Sequence, residues 1–266
     1  MPLGAWDTHF HTQNAPGTSH HLPVEAARTM HRSIGVQRGV MVQSRLHAAR
    51  DEDFIADLES VPEWRGVALI TESTTDAELD RLHAAGVRAI RLTYVGFLNR
   101  RPSVESFRRD VQRAADRGWH LLLHLEPNNL LELAGTIASL ELPVVLDHCA
   151  HIRTGKGLDQ PAVKTLLALH QLPHCWVKIS SLDRWAPSGA PAYSEAIPLA
   201  RAVLANAPER VLWATDWPHV MYKDPRNSVD EPPALGDLVQ LLFASVGDDD
   251  SLLHQVLVDN PLRLYS

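Results

Sequence analysis

The sequence predicts an α/β fold, a (β/α)8 TIM-type barrel formed by a single domain over residues 1–266. Three observations lead there. Eight short apolar runs rich in Val, Ile and Leu recur along the chain, several without polar alternation, as strands buried on both faces require. Helical segments separate most of them. Four runs end on ionisable side chains: Asp7-Thr8-His9-Phe10-His11, Leu-Leu-Leu-His124, Val-Val-Leu-Asp-His148 and Val-Leu-Trp-Ala-Thr-Asp216. A doubly wound open sheet is the main rival, but no Gly-rich dinucleotide fingerprint follows the first strand.

In chain order, strands are expected at 4–10, 39–44, 66–71, 87–94, 120–125, 143–148, 175–180 and 211–215. Thr74 or Thr75 opens a helix through Leu79 and Leu82 that Gly86 stops. Ser103 can cap a helix whose Phe107, Val111, Ala114 and Ala115 follow i, i+4, i+7, i+8 spacing, closed by Gly118. Pro161 suits the first turn of another, through Val163, Leu166 and Leu167. A last helix over 250–258 is expected to end at Asn260-Pro261. Segments 12–23, with His20 and His21, and the Pro-rich 217–235 read as long loops over the barrel mouth. No linker or low-complexity tract suggests a second domain.

The 266 residues are 45% hydrophobic, enough for one large core or two small ones. A formal net charge of -7 argues against a nucleic-acid surface or an anionic membrane as partner. There is no run of about 18 apolar residues and no basic leader at the start, so a cytoplasmic protein is expected. Its partner is then a small-molecule substrate, with a homo-oligomer left open. Cys149 follows one strand and Cys175 opens the next, at opposite ends of a parallel barrel, so no disulfide is expected. Cys149 beside His148 reads as an inert buried thiol, because neighbours in a strand point to opposite faces.

Barrel enzymes place their chemistry at the C-terminal ends of the strands. His9 and His11 end the first strand, His124 the fifth, His148 the sixth and Asp216 the eighth. A period of two puts His9 and His11 on one face, roughly 6–7 Å apart at the backbone. Two such imidazoles can converge on a divalent ion at roughly 2.1 Å each. Strand eight closes against strand one, which brings Asp216 to the same point, and strand five faces it from across. Neutral imidazoles with a carboxylate suit zinc, and also manganese or iron. Taken singly, each residue has a plainer alternative: a lone His-x-His among fifteen histidines is weak, and Asp216 alone could cap a loop. Their joint position at strand ends is what points to a shared catalytic site.

Over its whole length the chain resembles the amidohydrolase-2 branch of the amidohydrolase superfamily. The matching pieces are Asp-Thr-His9-Phe-His11, Ala-Gly-Val-Arg88-Ala-Ile-Arg91, Leu-Asp147-His148, Trp176-Val-Lys178-Ile-Ser180, Trp-Ala-Thr-Asp216-Trp-Pro-His219 and Val-Asp-Asn260-Pro-Leu-Arg-Leu-Tyr265. Within that branch it is most similar to the 2-pyrone-4,6-dicarboxylate lactonases and related lactonases. The resemblance implies hydrolysis of a small, carboxylated lactone, with Asp216 as the base that activates water. His9, His11 and His148 would polarise the scissile carbonyl, and Arg91 and Arg184 would hold a substrate carboxylate, with His219 on the substrate side. A structural ion pair is the alternative for Arg91, a loop salt bridge for Arg184, and a buried paired charge is expected of Lys178.

The departures from that pattern carry information. His124 stands where the pyrone lactonases carry tyrosine and work without metal. The resemblance thereby implies a mononuclear ligand set of His9, His11, His124 and Asp216, holding one divalent metal, zinc first and manganese second, with a metal-free mechanism still open. Phe97 and His151 stand where two substrate-gripping arginines align, and with Trp185 they suggest an aromatic pocket wall. Arg100, Arg101, Arg153 or Lys156 could compensate from the loops, or simply mark a solvated rim. The alternatives to a lactonase are a metal-dependent decarboxylase of the same branch, a carbon–carbon lyase, and a non-catalytic binding protein on this scaffold.

Overall fold

The strands are β1 Trp6–Phe10, β2 Arg38–Val42, β3 Trp64–Ala68, β4 Val87–Thr93, β5 His120–His124, β6 Val144–Leu146, β7 Cys175–Ile179 and β8 Val211–Trp213. They pair in parallel in exactly the order of the chain, curling into a nearly closed (β/α)8 barrel. The computed structural model describes residues 1–13, 21–43, 51–96, 101–219, 222, 227 and 231–266. The helices that pack outside are α1 Val24–Ile34, α2 Asp51–Glu59, α3 Asp76–Ala84, α4 Val104–Ala115, α5 Pro127–Ala138, α6 Pro161–His170, α7 Ala196–Asn206 and α8 Leu235–Val246. Three short C-terminal turns follow: α9 Asp250–His254, a wide π-type turn Gln255–Asp259 and α10 Asn260–Tyr265.

Two apolar layers explain why the strands lack polar alternation. Trp6, Val40, Val67, Leu122, Val145 and Trp176 fill the barrel interior. Their neighbours on the strands, such as Met41, Leu121, Val144 and Val177, face the helices. Both faces of each strand are therefore dry, the arrangement parallel sheets require.

Local signals hold where chemistry enforces them. Thr75, rather than Thr74, caps α3: its hydroxyl accepts from Glu78 N–H while the Glu78 carboxylate takes the Thr75 N–H. Ser103 caps α4 by accepting from Ser106 N–H, and Pro161 opens α6. The C-terminus differs from expectation. The helical path does not stop at Asn260-Pro261 but runs on to Tyr265, because Pro261 falls in the first turn of α10, where its missing N–H costs nothing. This carries Tyr265 beneath the barrel, fully buried against Trp6 and His120 at ring separations of 6.1 and 4.9 Å. The loops expected at 12–23 and 217–235 fall largely outside the described residues, His20 among them.

The seam between β8 and β1 is built differently from the other seven. Among the described residues no strand ladder joins the two. Instead Asp216 N–H donates to His9 O and His11 N–H to Trp217 O, both at 2.9 Å, and the Thr8 hydroxyl donates to Trp213 O at 2.7 Å. β1 also slips in register against β2 between Asp7 and Phe10.

Candidate active site

Inward-facing positions on successive strands climb from apolar floor to ionisable rim. On β7 the climb reads Trp176, Lys178, Ser180; on β5, Leu122 then His124. The rim side chains meet around Asp216. Its Oδ1 lies 3.6 Å from His9 Nε2 and 3.8 Å from the Nε2 atoms of both His11 and His148. Its Oδ2 accepts from the Ser181 hydroxyl at 2.6 Å and from Arg184 Nη2 at 3.3 Å. The ring centroids of His9 and His11 stand 5.0 Å apart.

What fixes the ring orientations is the other nitrogen of each imidazole. His11 Nδ1 donates to Val42 O at 2.6 Å, and His148 Nδ1 pairs with the Ser180 hydroxyl at 2.8 Å. His9 Nδ1 has two neighbours, Asp147 Oδ1 at 3.2 Å and Lys178 Nζ at 3.4 Å. The carboxylate is the nearer, and Lys178 already donates to Thr8 O at 3.0 Å, so the proton belongs on Nδ1. The Nε2 lone pair of His9 is then left facing Asp216, buried and without a hydrogen-bond partner.

Asp147 is the hub that the sequence left unassigned. Fully buried, it takes His9 and Lys178 (3.5 Å) on Oδ1, and Arg91 (2.9 Å) and His148 (3.3 Å) on Oδ2. Burial pushes its carboxyl up, yet the surrounding His148, His9, Lys178 and Arg91 hold it well below the usual range. Asp216 behaves alike: burial raises it, while His148, Arg184, His9 and His11 bring it well below. Burial lowers His9, His148, His124 and His151. The signal for Asp147 was present, since it too ends an apolar run, but His148 beside it drew the assignment.

The backbone at the rim is strained. β6 ends at Leu146, and Asp147–His151 forms a tight left-handed turn in which His148, Cys149, Ala150 and His151 have φ of 51°, 46°, 53° and 52°. Asp216 (57°), Ser181 (54°) and His219 (62°) share that region. For L-residues this costs about 1–2 kcal/mol each. The turn also replaces the reason given above for an inert Cys149. Its thiol is inert because it is fully buried, 3.6 Å from Lys178 O and pushed far up in pKa, not because strand neighbours alternate. Cys175 is likewise a buried free thiol.

The expected residues do not all share one place. His9, His11, His148 and Asp216 come together as described. His124 lies on the far side of His148: its Nε2 is 2.8 Å from His151 Nε2, and it forms a metal-competent triplet with His148 and His151, separate from the triplet of His9, His148 and Asp216. Arg91 and Arg184 each engage a site carboxylate, and Lys178 is a buried paired charge. His219 sits just past Asp216, its Nε2 buried without a partner. Phe97 and Arg100 lie outside the described residues, and Arg101 pairs with Glu132. Beside His151 a cleft of about 610 Å³ opens between the first turns of α5 and α6, bordered by Trp185, Arg153 and Lys156.

The donors that meet at Asp216 fit a divalent cation. His9 and His148 stand with Asp216 as a metal-competent triplet, His11 lies 3.8 Å from the same carboxylate oxygen, and the Nε2 of His9 is a buried lone pair that nothing else satisfies.

A model of the amidohydrolase family matches residues 5–266. The chain belongs to the amidohydrolase family. Among the relatives of this amidohydrolase, 4-sulfomuconolactone hydrolase of Rhizobium radiobacter is 33% identical, over 100% of this chain and 91% of the relative. The 2-pyrone-4,6-dicarboxylate hydrolase of Comamonas testosteroni is 32% identical over the same shares. A solved structure from Agrobacterium tumefaciens superposes with a TM-score of 0.81 at 24% identity, covering 99% of this chain and 96% of that one. The amidohydrolase is thus a hydrolase, with the barrel that its strands describe. None of its helices, among the described residues, is long and apolar enough to cross a membrane.

Proposed function

We propose that the amidohydrolase opens a small lactone bearing an anionic group, by attack of an activated water on the ring carbonyl. The observation that carries this is the convergence of three imidazoles on an ionised, buried Asp216. Two full-length relatives above 30% identity are named as hydrolases of anionic lactones, which supports the substrate class and does not favour the carbon–carbon lyase alternative.

Asp216 Oδ1 accepts the proton of the attacking water and passes it to the departing alkoxide, while Ser181 and Arg184 hold Oδ2 so that the carboxylate cannot turn away. A divalent cation, when bound, would supply an acidified water for this step by lowering its pKa towards about 7. His9, His11 and Asp216 would hold the ion with His148, or with His124 if the latter turns from His151; zinc is our first assignment and manganese the second. Arg91 and Arg184 would lend their remaining N–H groups to a substrate carboxylate, and the cleft beside His151 offers room for a substituent against Trp185. His219 and Phe97 would border the bound ring. One domain spanning 1–266, working in a reducing cytoplasm, completes the proposal.

The experiment is a panel assay. Purified protein is given carboxylated and sulfonated lactones with proton release followed, and carboxylated aromatics with CO2 release followed. Proton release from at least one lactone and no CO2 is expected. CO2 from an aromatic acid, with every lactone untouched, would contradict the proposal.

A further inference from the structure

β1 and β8 carry His9, His11 and Asp216, yet among the described residues they are neighbours without a ladder. Besides the two backbone hydrogen bonds at their upper ends, a side chain ties them. Asp7 is fully buried and its carboxylate accepts four hydrogen bonds. Oδ1 takes the backbone N–H of His9 at 3.1 Å and of Thr215 at 3.0 Å. Oδ2 takes the Thr215 hydroxyl at 2.5 Å and His31 Nε2, from α1, at 3.2 Å. One carboxylate thus grips the amide of the first site histidine and the residue immediately before Asp216. The Thr215 oxygen also accepts Trp217 N–H at 3.1 Å, which continues the grip past Asp216.

The register slip in β1 makes this possible. In an unbroken strand Asp7 would share a face with His9 and His11. The irregularity between Asp7 and Phe10 instead lets Asp7 reach outward to α1 while the histidines look into the barrel. Gly39, paired with Asp7 across β2, leaves the room: a Cβ there would stand 2.7 Å from Phe10 Cε1 and 3.0 Å from His31 Cε1. Alanine at this position would collide with the Phe10 ring and crowd His31, the ring that the carboxylate holds.

We propose that Asp7 is a positioning residue that sets the separation between the His9–His11 tip and Asp216, with Thr215 and His31 as its arms. It touches neither water nor substrate and acts through the backbone of both strands. The proposal rests on the hydrolytic role assigned to Asp216 above. A shift of about 1 Å in such a pair costs on the order of a hundredfold in rate.

The test compares Thr215→Val, which keeps the shape and removes the hydroxyl, with Thr215→Ser, which keeps the hydroxyl, and with Asp7→Asn. Each is read by steady-state kinetics on a lactone that the wild type opens and by crystal structures of the wild type and both Thr215 variants. Thr215→Val is expected to lower kcat by about ten- to a hundredfold, with KM within about twofold. Asp7→Asn should lose more, and Thr215→Ser should recover the rate. The separation of His9 Nε2 from Asp216 Oδ1, here 3.6 Å, should lengthen in Thr215→Val and stay in Thr215→Ser. A folded Thr215→Val that keeps both the rate and the separation overturns the proposal, as does a loss that Thr215→Ser fails to recover. A wild type that opens no lactone counts against the proposed function instead, and the crystallographic separation then decides the role of Asp7 by itself.

Discussion

Two residues apart on the inner face of β5, Leu122 and His124 live in different chemistry. Leu122 packs in a dry cluster with Val145, Trp176 and Leu212; His124 faces the rings of His148 and His151 at 5.6 and 4.9 Å. The floor, His120 apart, is apolar on ordinary extended backbone. The rim is ionisable, and its backbone enters the left-handed region at His148 to His151, Ser181, Asp216 and His219. The contrast teaches that this barrel divides its labour by height along the same strands. Floor residues supply the burial that offsets a rim which would not hold its own shape. Substitutions in the two layers should therefore fail in different ways.

Asp216→Asn is the sharpest break. The amide keeps the shape but cannot take the proton, so kcat should fall by about a thousandfold or more while the circular dichroism stays that of the wild type. Near-wild-type turnover would remove Asp216 from the base role. Leu122→Ala should do the reverse. A buried Leu→Ala in a packed core costs about 2–5 kcal/mol, so the urea midpoint should drop while kcat/KM of the folded enzyme stays close to wild type. A variant that loses activity at unchanged stability would mean the two layers are not separable.

Acid sharpens the comparison less steeply. His120, on the floor beside Tyr265, is driven by burial down to about 3, aided by Lys178. Its folded value lies below the unfolded 6.5, so the unfolded chain binds a proton the native one refuses, and stability falls as pH drops from about 6.5 towards 3. This one ring accounts for about 2 kcal/mol at pH 5. The lowered carboxyl of Asp147 acts in the same direction at still lower pH, because the stability it lends is lost as the carboxylate protonates. Thermal midpoints at pH 8 and pH 5 check this, with a shallower fall expected for His120→Gln. An equal fall in that variant would acquit His120.

The fold was legible because burial on both faces leaves a mark in composition, and eight apolar runs cannot easily hide. The rim was legible where an ionisable residue ends such a run, as at His9, His11, His124, His148 and Asp216. Three things were not. The left-handed turn at 147–151 carries no glycine or proline to announce it, since tertiary contacts such as His148 with Ser180 and His124 with His151 enforce it. The outward turn of Asp7 depends on a register slip that no periodicity records. His124 pairs with His151 because that same turn brings position 151 back over β5, a contact invisible in the chain order.

The central claim is that water, activated at Asp216, attacks a ring carbonyl. The most direct measurement is a single turnover of the lactone substrate in H2 18O, with the product read by mass spectrometry. The account predicts one 18O atom in the newly formed carboxylate of the ring-opened product. A product that carries no 18O, after a turnover that still depends on Asp216, would contradict it.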